Sequence, residues 1–153
     1  MKIAIGADHA GFEYKAKLSD YLKSLGHIVI DVGTFSTESS DYPDFGVKGS
    51  QKVCSGEAEM GILLCGTGIG MSIVANKFKG IRAAVCWNLE TASLAREHNH
   101  ANILCLGARF LTLSECIEIT DIFLKTSPKS EDKYLRRINK ITNVEEGGNF
   151  CGN

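Results

Sequence analysis

The chain has 153 residues, with 17 Lys and Arg against 18 Asp and Glu, a formal net charge of −1. That length suits one domain around one core, and the near-neutral balance lacks the basic stripe of a nucleic-acid binder. No apolar run approaches the roughly 20 residues that span a bilayer, and the apolar start is too short for a secretion signal, so a cytoplasmic protein with no membrane contact is expected.

In chain order, KIAIGAD (Lys2–Asp8) is a β-branched run ending in a glycine turn. The following segment, Phe12 to Gly26, spaces Phe12, Leu18, Tyr21, Leu22 and Leu25 on one helix face, with Gly26 as the residue after the last turn. HIVIDVG (His27–Gly33) is the next strand. A polar loop then leads to Pro43, which suits the first turn of a helix reaching about Cys54. MGILLCG (Met60–Gly66) is apolar throughout, the pattern of a strand buried on both faces of a parallel sheet. GMSIVANKF is helical and is closed by Gly80, and Ile81–Trp87 is the fourth strand. Asn88 caps a helix to His98, and Ala101–Gly107 is the fifth strand. Thr112 with Glu115 forms a capping box for a helix to Thr126. A last helix is expected from about Lys129 to Thr142. Residues 143–153 are read as a flexible tail.

Strands alternating with helices predict a single three-layer α/β/α domain over residues 1–142, with a five-stranded parallel Rossmann-like sheet and an extra C-terminal helix. In such sheets, ligands bind outside the carboxyl ends of the strands. Gly6 to His9, Cys65 to Gly68, Cys86 to Asn88, and Gly107 to Arg109 therefore belong to one rim.

The rim motif is Cys65-Gly66-Thr67-Gly68-Ile69-Gly70. Its G-x-G-x-G spacing is not the G-x-G-x-x-G of a dinucleotide site, the next strand ends without an acidic residue, and no G-K-[ST] follows. Backbone amides at a helix start suit an anion or a developing oxyanion, although a tight turn without a ligand also accounts for glycines. Cys65 faces the same positive helix end. On position alone it is either a small buried residue or a reactive thiol. The six cysteines, Cys54, Cys65, Cys86, Cys105, Cys116 and Cys151, have long irregular spacings without a C-x-x-C pair, so free thiols and no metal site are expected. His98 and His100 sit between a helix and a strand. Lys133 and Arg137, four residues apart, share a face of the last helix, which is either solvated or able to hold a phosphate.

Taken together, IGADHAGFEYK, DVGT, DYPDF, GILLCGTGIGMSIVANKFKGIRAAVCWN, AREHNHANILCLGAR and RRINKI resemble the type B ribose-5-phosphate isomerases, a family that includes galactose- and allose-6-phosphate isomerases. The resemblance runs over about residues 1–142. It implies that Cys65 is the base moving a proton between C1 and C2 of an open-chain sugar. Gly66 to Gly70 would hold the enediolate oxygens, with a hydroxyl contact from Thr67. Asp8 and His98 would assist ring opening. His9, Asn99, Arg109, Lys133 and Arg137 would bind substrate, the cationic groups serving the phosphate. It further implies no cofactor, a sugar phosphate as the small-molecule partner, and a homodimer or homotetramer whose sites combine two subunits. This chain departs from the family by Lys133-Tyr134 in place of Arg-His, so a lysine without a bidentate fork stands there and Arg136 is the nearest compensating cation. Rival readings are an isomerase of a six-carbon aldose phosphate, a nucleotide- or flavin-binding module, and an inert relative that only binds partners.

Overall fold

The apolar runs become the strands of one parallel sheet. The computed structural model describes residues 1–148, in the order β1 (Lys2–Ala7), α1 (Phe12–Ser24), β2 (Ile28–Asp31), α2 (Tyr42–Cys54), β3 (Met60–Cys65), α3 (Ile69–Ala75), β4 (Ala83–Val85), α4 (Leu89–Asn99), β5 (Ile103–Gly107), α5 (Leu113–Lys125) and α6 (Asp132–Glu145). The strand order is β2-β1-β3-β5-β4, with every pairing parallel. The order reverses beside β1 and β3, so a crevice opens at their carboxyl ends.

Alternation along each strand sends side chains to two separate cores. Ile3, Ile5, Ile62, Leu64, Leu104 and Leu106 pack with Leu18 and Leu22 of α1, Ala92 and Ala95 of α4, and Ile119 and Phe123 of α5. On the other face Leu63, Cys65, Ile103 and Cys105 pack with Met71 and Ala75 of α3 and with Phe45 and Val53 of α2. The result is the expected three-layer α/β/α arrangement, with α6 laid against α4.

The caps read from sequence are present. Asn88 and Thr91 form a capping box on α4, as do Thr112 and Glu115 on α5. Gly26 has φ +82° directly after the last turn of α1.

Several bounds differ from the sequence reading. β4 keeps only three residues, and the Asn76 side chain brackets its first one: Oδ1 accepts the Ala83 N–H at 2.8 Å and Nδ2 donates to the Ala83 carbonyl at 2.9 Å. The same residue ends α3 before the expected Phe78. α6 starts at Asp132, not Lys129, since the Lys129 N–H donates to the Glu97 carbonyl and ties that segment to α4 first. It continues to Glu145, so residues 143–145 of the expected tail are helical. Cys151 lies outside the described residues.

Candidate active site

At the carboxyl ends of β1, β3 and β5, Asp8, Tyr42, Cys65, Gly66, Thr67, Gly70 and Arg109 line a cleft of about 190 Å³. Cys65 is the last residue of β3 and is 4% exposed. Its Sγ accepts the backbone N–H of Gly68 at 3.1 Å. Among the described residues no other cysteine has a backbone donor at sulfur. Burial pushes the Cys86 and Cys116 thiols up to about 12 and Cys105 well above the ordinary range. Those three are core residues, protonated at neutral pH.

The three glycines serve two different ends. Gly68 has φ +76°, and a Cβ there would meet the Leu106 backbone at 3.0 Å. Gly66 and Gly70 make room. A Cβ on Gly66 would lie 3.2 Å from the Arg109 side chain, and one on Gly70 would lie 2.6 Å from the Tyr42 ring. The loop thus admits an exposed guanidinium on one side and a phenol on the other. Thr67 Oγ1 accepts the Ile69 N–H at 3.2 Å, which leaves its own hydrogen for a ligand.

Asp8 is 6% exposed, and its Oδ1 accepts the N–H groups of Ala10 and Gly11 at 2.9 and 3.1 Å. That bonding fixes the carboxylate and leaves Oδ2 as the oxygen for a ligand. His9 is tied to the β2–α2 loop: its N–H donates to Ser40 Oγ at 3.2 Å, and its Nδ1 lies 3.2 Å from both the N–H and the carbonyl oxygen of Ser40.

Tyr42 is the site residue that sequence reasoning missed. The polar pattern before Pro43 predicts loop at Tyr42, yet the residue opens α2. A Tyr-Pro pair at a helix start, with a glycine elsewhere that its ring requires, was the available signal.

The remaining expected site residues lie elsewhere in the chain. Because α4 runs from the end of β4 back to the start of β5, its last turn sits at the opposite rim of the sheet. There the Arg82 guanidinium, just before β4, donates to the carbonyls of Asn99 and His100. Asn99 lines a separate groove of about 490 Å³ with Arg82, Ala83 and Ile141. His98 stacks on Tyr134 of α6, with centroids 4.5 Å apart and planes 12° apart. Lys133 Nζ lies 4.6 Å above the same ring and 3.3 Å from Glu131. The Tyr134 hydroxyl and then Glu131 raise its pKa. Arg137, one turn on, is exposed and makes no ion pair among the described residues. His100 has a structural part, with φ +48° and Nε2 donating to the Lys129 carbonyl at 2.8 Å. The structure therefore gathers Asp8, His9, Cys65 to Gly70 and Arg109 on one rim, and leaves His98, Asn99, Lys133 and Arg137 on the other.

Residues 3–141 match the Ribose/Galactose Isomerase family, and the chain belongs to that family. It is 42% identical over 148 residues to ribose-5-phosphate isomerase B of Escherichia coli, covering 97% of this chain and 99% of the relative. It is 41% identical over 150 residues to galactose-6-phosphate isomerase subunit LacB of Clostridium acetobutylicum, covering 96% and 87%. Among solved structures, ribose-5-phosphate isomerase B of Clostridium thermocellum superposes with a TM-score of 0.94 at 49% identity, covering 96% and 99%. The Mycoplasma genitalium enzyme with bound ribulose-5-phosphate gives a TM-score of 0.89 at 42% identity, covering 95% and 96%. No helix among the described residues is long and apolar enough to cross a membrane.

Proposed function

We propose that the chain interconverts D-ribose 5-phosphate and D-ribulose 5-phosphate, the aldose–ketose step of the non-oxidative pentose phosphate pathway, without a cofactor. The observation that carries this reading is the Cys65 thiol, met by the Gly68 amide in a cleft shared with Asp8 and Arg109. In this scheme the Cys65 thiolate takes the proton from C2 of the open-chain aldose and returns it to C1. The oxygen that gains charge in the enediolate faces the amides of Gly66 to Gly70 and the Thr67 hydroxyl. Asp8, held by two amides, accepts a sugar hydroxyl proton during ring opening, and His98 donates to the ring oxygen. His9, Arg109, Asn99, Lys133 and Arg137 bind the substrate, with the arginines on the phosphate. Anchoring at the phosphate orients C1 and C2 at the thiol.

His98, Asn99, Lys133 and Arg137 occupy the rim opposite Cys65, so the reading takes them from a second copy of the chain in a homodimer, or a homotetramer built from such dimers. Exposed Ile69, Ile73, Trp87 and Phe110 beside the cleft supply apolar surface for that contact.

The test is turnover of ribose 5-phosphate by wild type and Cys65→Ser. The variant is expected to lose about 10²–10⁴-fold in kcat while binding a phosphorylated inhibitor as before. Full activity in the variant overturns the role of Cys65. The similarity to a galactose-6-phosphate isomerase subunit favours a second reading, a six-carbon aldose phosphate as substrate. A larger kcat/KM on allose or galactose 6-phosphate than on ribose 5-phosphate decides for it.

A further inference from the structure

Lys15 is 1% exposed, and its ammonium is 2.5 and 2.7 Å from the two oxygens of Asp31. Phe12 and Phe35 lie against the same nitrogen, at 5.8 and 4.9 Å from their ring centroids. Burying an ammonium is costly, and apolar residues of similar volume in place of a buried pair are often neutral or stabilising. Core packing therefore does not account for a lysine at this position. A charge can do what a methylene chain cannot: it draws the Asp31 carboxylate, whose side chain is 30% exposed, back toward the protein.

The orientation of Asp31 matters because its Oδ1 also accepts the Gly33 N–H at 2.9 Å. The Gly33 carbonyl in turn accepts the Ala7 N–H, and the Thr34 N–H donates to the Ala7 carbonyl, both at 2.6 Å. Ala7 is thereby gripped on both sides immediately before Asp8 and His9. The Phe35 ring, 73% exposed, rests against the ammonium on one side. The loop beginning there reaches Ser40, which is bonded to His9, and ends at Tyr42 on the cleft wall. The segment between Asp31 and Tyr42 thus has one anchor at Lys15 and one at His9.

We propose that Lys15 is a positioning residue for the substrate cleft: through Asp31 and the loop of residues 33–41 it sets the places of His9 and Tyr42. The inference rests on the isomerase reading for its catalytic readout only. Lys15 touches no substrate. It fixes the wall against which substrate is bound, so its loss acts on KM.

The experiment compares wild type, Lys15→Met, Asp31→Asn and the double variant Lys15→Met/Asp31→Leu, each measured for thermal midpoint, kcat, KM for ribose 5-phosphate and amide hydrogen exchange. Lys15→Met is expected to raise KM about tenfold or more with kcat changed by about threefold at most. Exchange at Gly33, Thr34 and Ser40 accelerates while the central strands stay protected. The double variant recovers the midpoint but not KM. A Lys15→Met protein with KM within about twofold of wild type, or a double variant that regains both midpoint and KM, overturns the proposal. If Lys15→Met does not fold, Asp31→Asn decides: a raised KM with fast Ser40 exchange supports it, and unchanged values overturn it. Wild-type turnover and its loss in Cys65→Ser judge the isomerase reading separately. The exchange rates judge Lys15 whichever sugar is turned over.

Discussion

The backbone N–H of Gly68 donates to Cys65 Sγ, so the loop leaving β3 folds back onto the thiol that precedes it. Gly68 holds φ +76° with the Leu106 backbone 3.0 Å from where a Cβ would stand. Gly68→Ala therefore has to move the loop. It is expected to cost about 1–3 kcal/mol of stability and to withdraw the sulfur's donor. Thermal melts together with kcat check this, and a fully active, equally stable variant refutes the geometry.

Gly70 and Tyr42 form a second coupled pair. A methyl group on Gly70 would sit 2.6 Å from the Tyr42 ring, so the ring must shift. Gly70→Ala should raise KM in wild type and have little further effect in a Tyr42→Ala background. A double-mutant cycle on kcat/KM measures this, with a coupling of about 0.5–3 kcal/mol expected for side chains in contact.

The division of site residues between two rims gives a test of subunit sharing. Cys65→Ser and Arg137→Ala homomers should each be nearly inactive. If the pair comes from different copies, random remixing makes half of the dimers hybrid, each with one intact site, and restores about one quarter of wild-type activity. No recovery after verified exchange places both residues in one subunit's site.

Thiol chemistry should separate the buried cysteines from the rim. Burial pushes Cys86 and Cys116 up to about 12 and Cys105 well above the ordinary thiol range, so none supplies thiolate near pH 8. Alkylation mapped by mass spectrometry should leave these three unlabelled until the protein unfolds. Cys65 should label in the native state and be protected by a bound sugar phosphate.

Glu97 and Lys129 tie α4 to the segment before α6, with Nζ 2.6 Å from Oε2. The hydrogen bond from Lys129 holds the Glu97 carboxyl below its ordinary 4.5. A depressed carboxyl contributes stability that is present above its unfolded pKa and lost as pH falls through the folded one. Glu97→Gln should therefore lower the melting temperature at neutral pH, and the gap to wild type should close as pH drops below about 4.5. A gap that persists at acid pH would assign the effect to packing.

Most of the architecture was legible because strands buried on both faces read as unbroken apolar runs, Met60–Cys65 above all. The glycines after Cys65 announced a turn, but not that Gly66 and Gly70 are small for the sake of Arg109 and Tyr42. That depends on which distant segments pass close by, as does strand order, and local pattern carries neither. The ends of α3 and β4 were misjudged for a similar reason. Asn76 reads as one more polar helical residue, and only its partner Ala83 reveals what it does. His98 reads the same whether or not Cys65 is near. Only the path of α4 across the sheet sets them on opposite rims.

Asn76 has a consequence for the molecule in a crowded solution. β4 is one of the two edge strands of the sheet, and an open edge is a template onto which a foreign strand can add. By occupying both hydrogen-bonding groups of Ala83, the carboxamide acts as a stub of a sixth strand that goes no further. One side chain thus blocks the start of this edge, a task that elsewhere takes a covering helix or a charged fringe. Losing it would be felt first as a tendency to aggregate, before any change in catalysis.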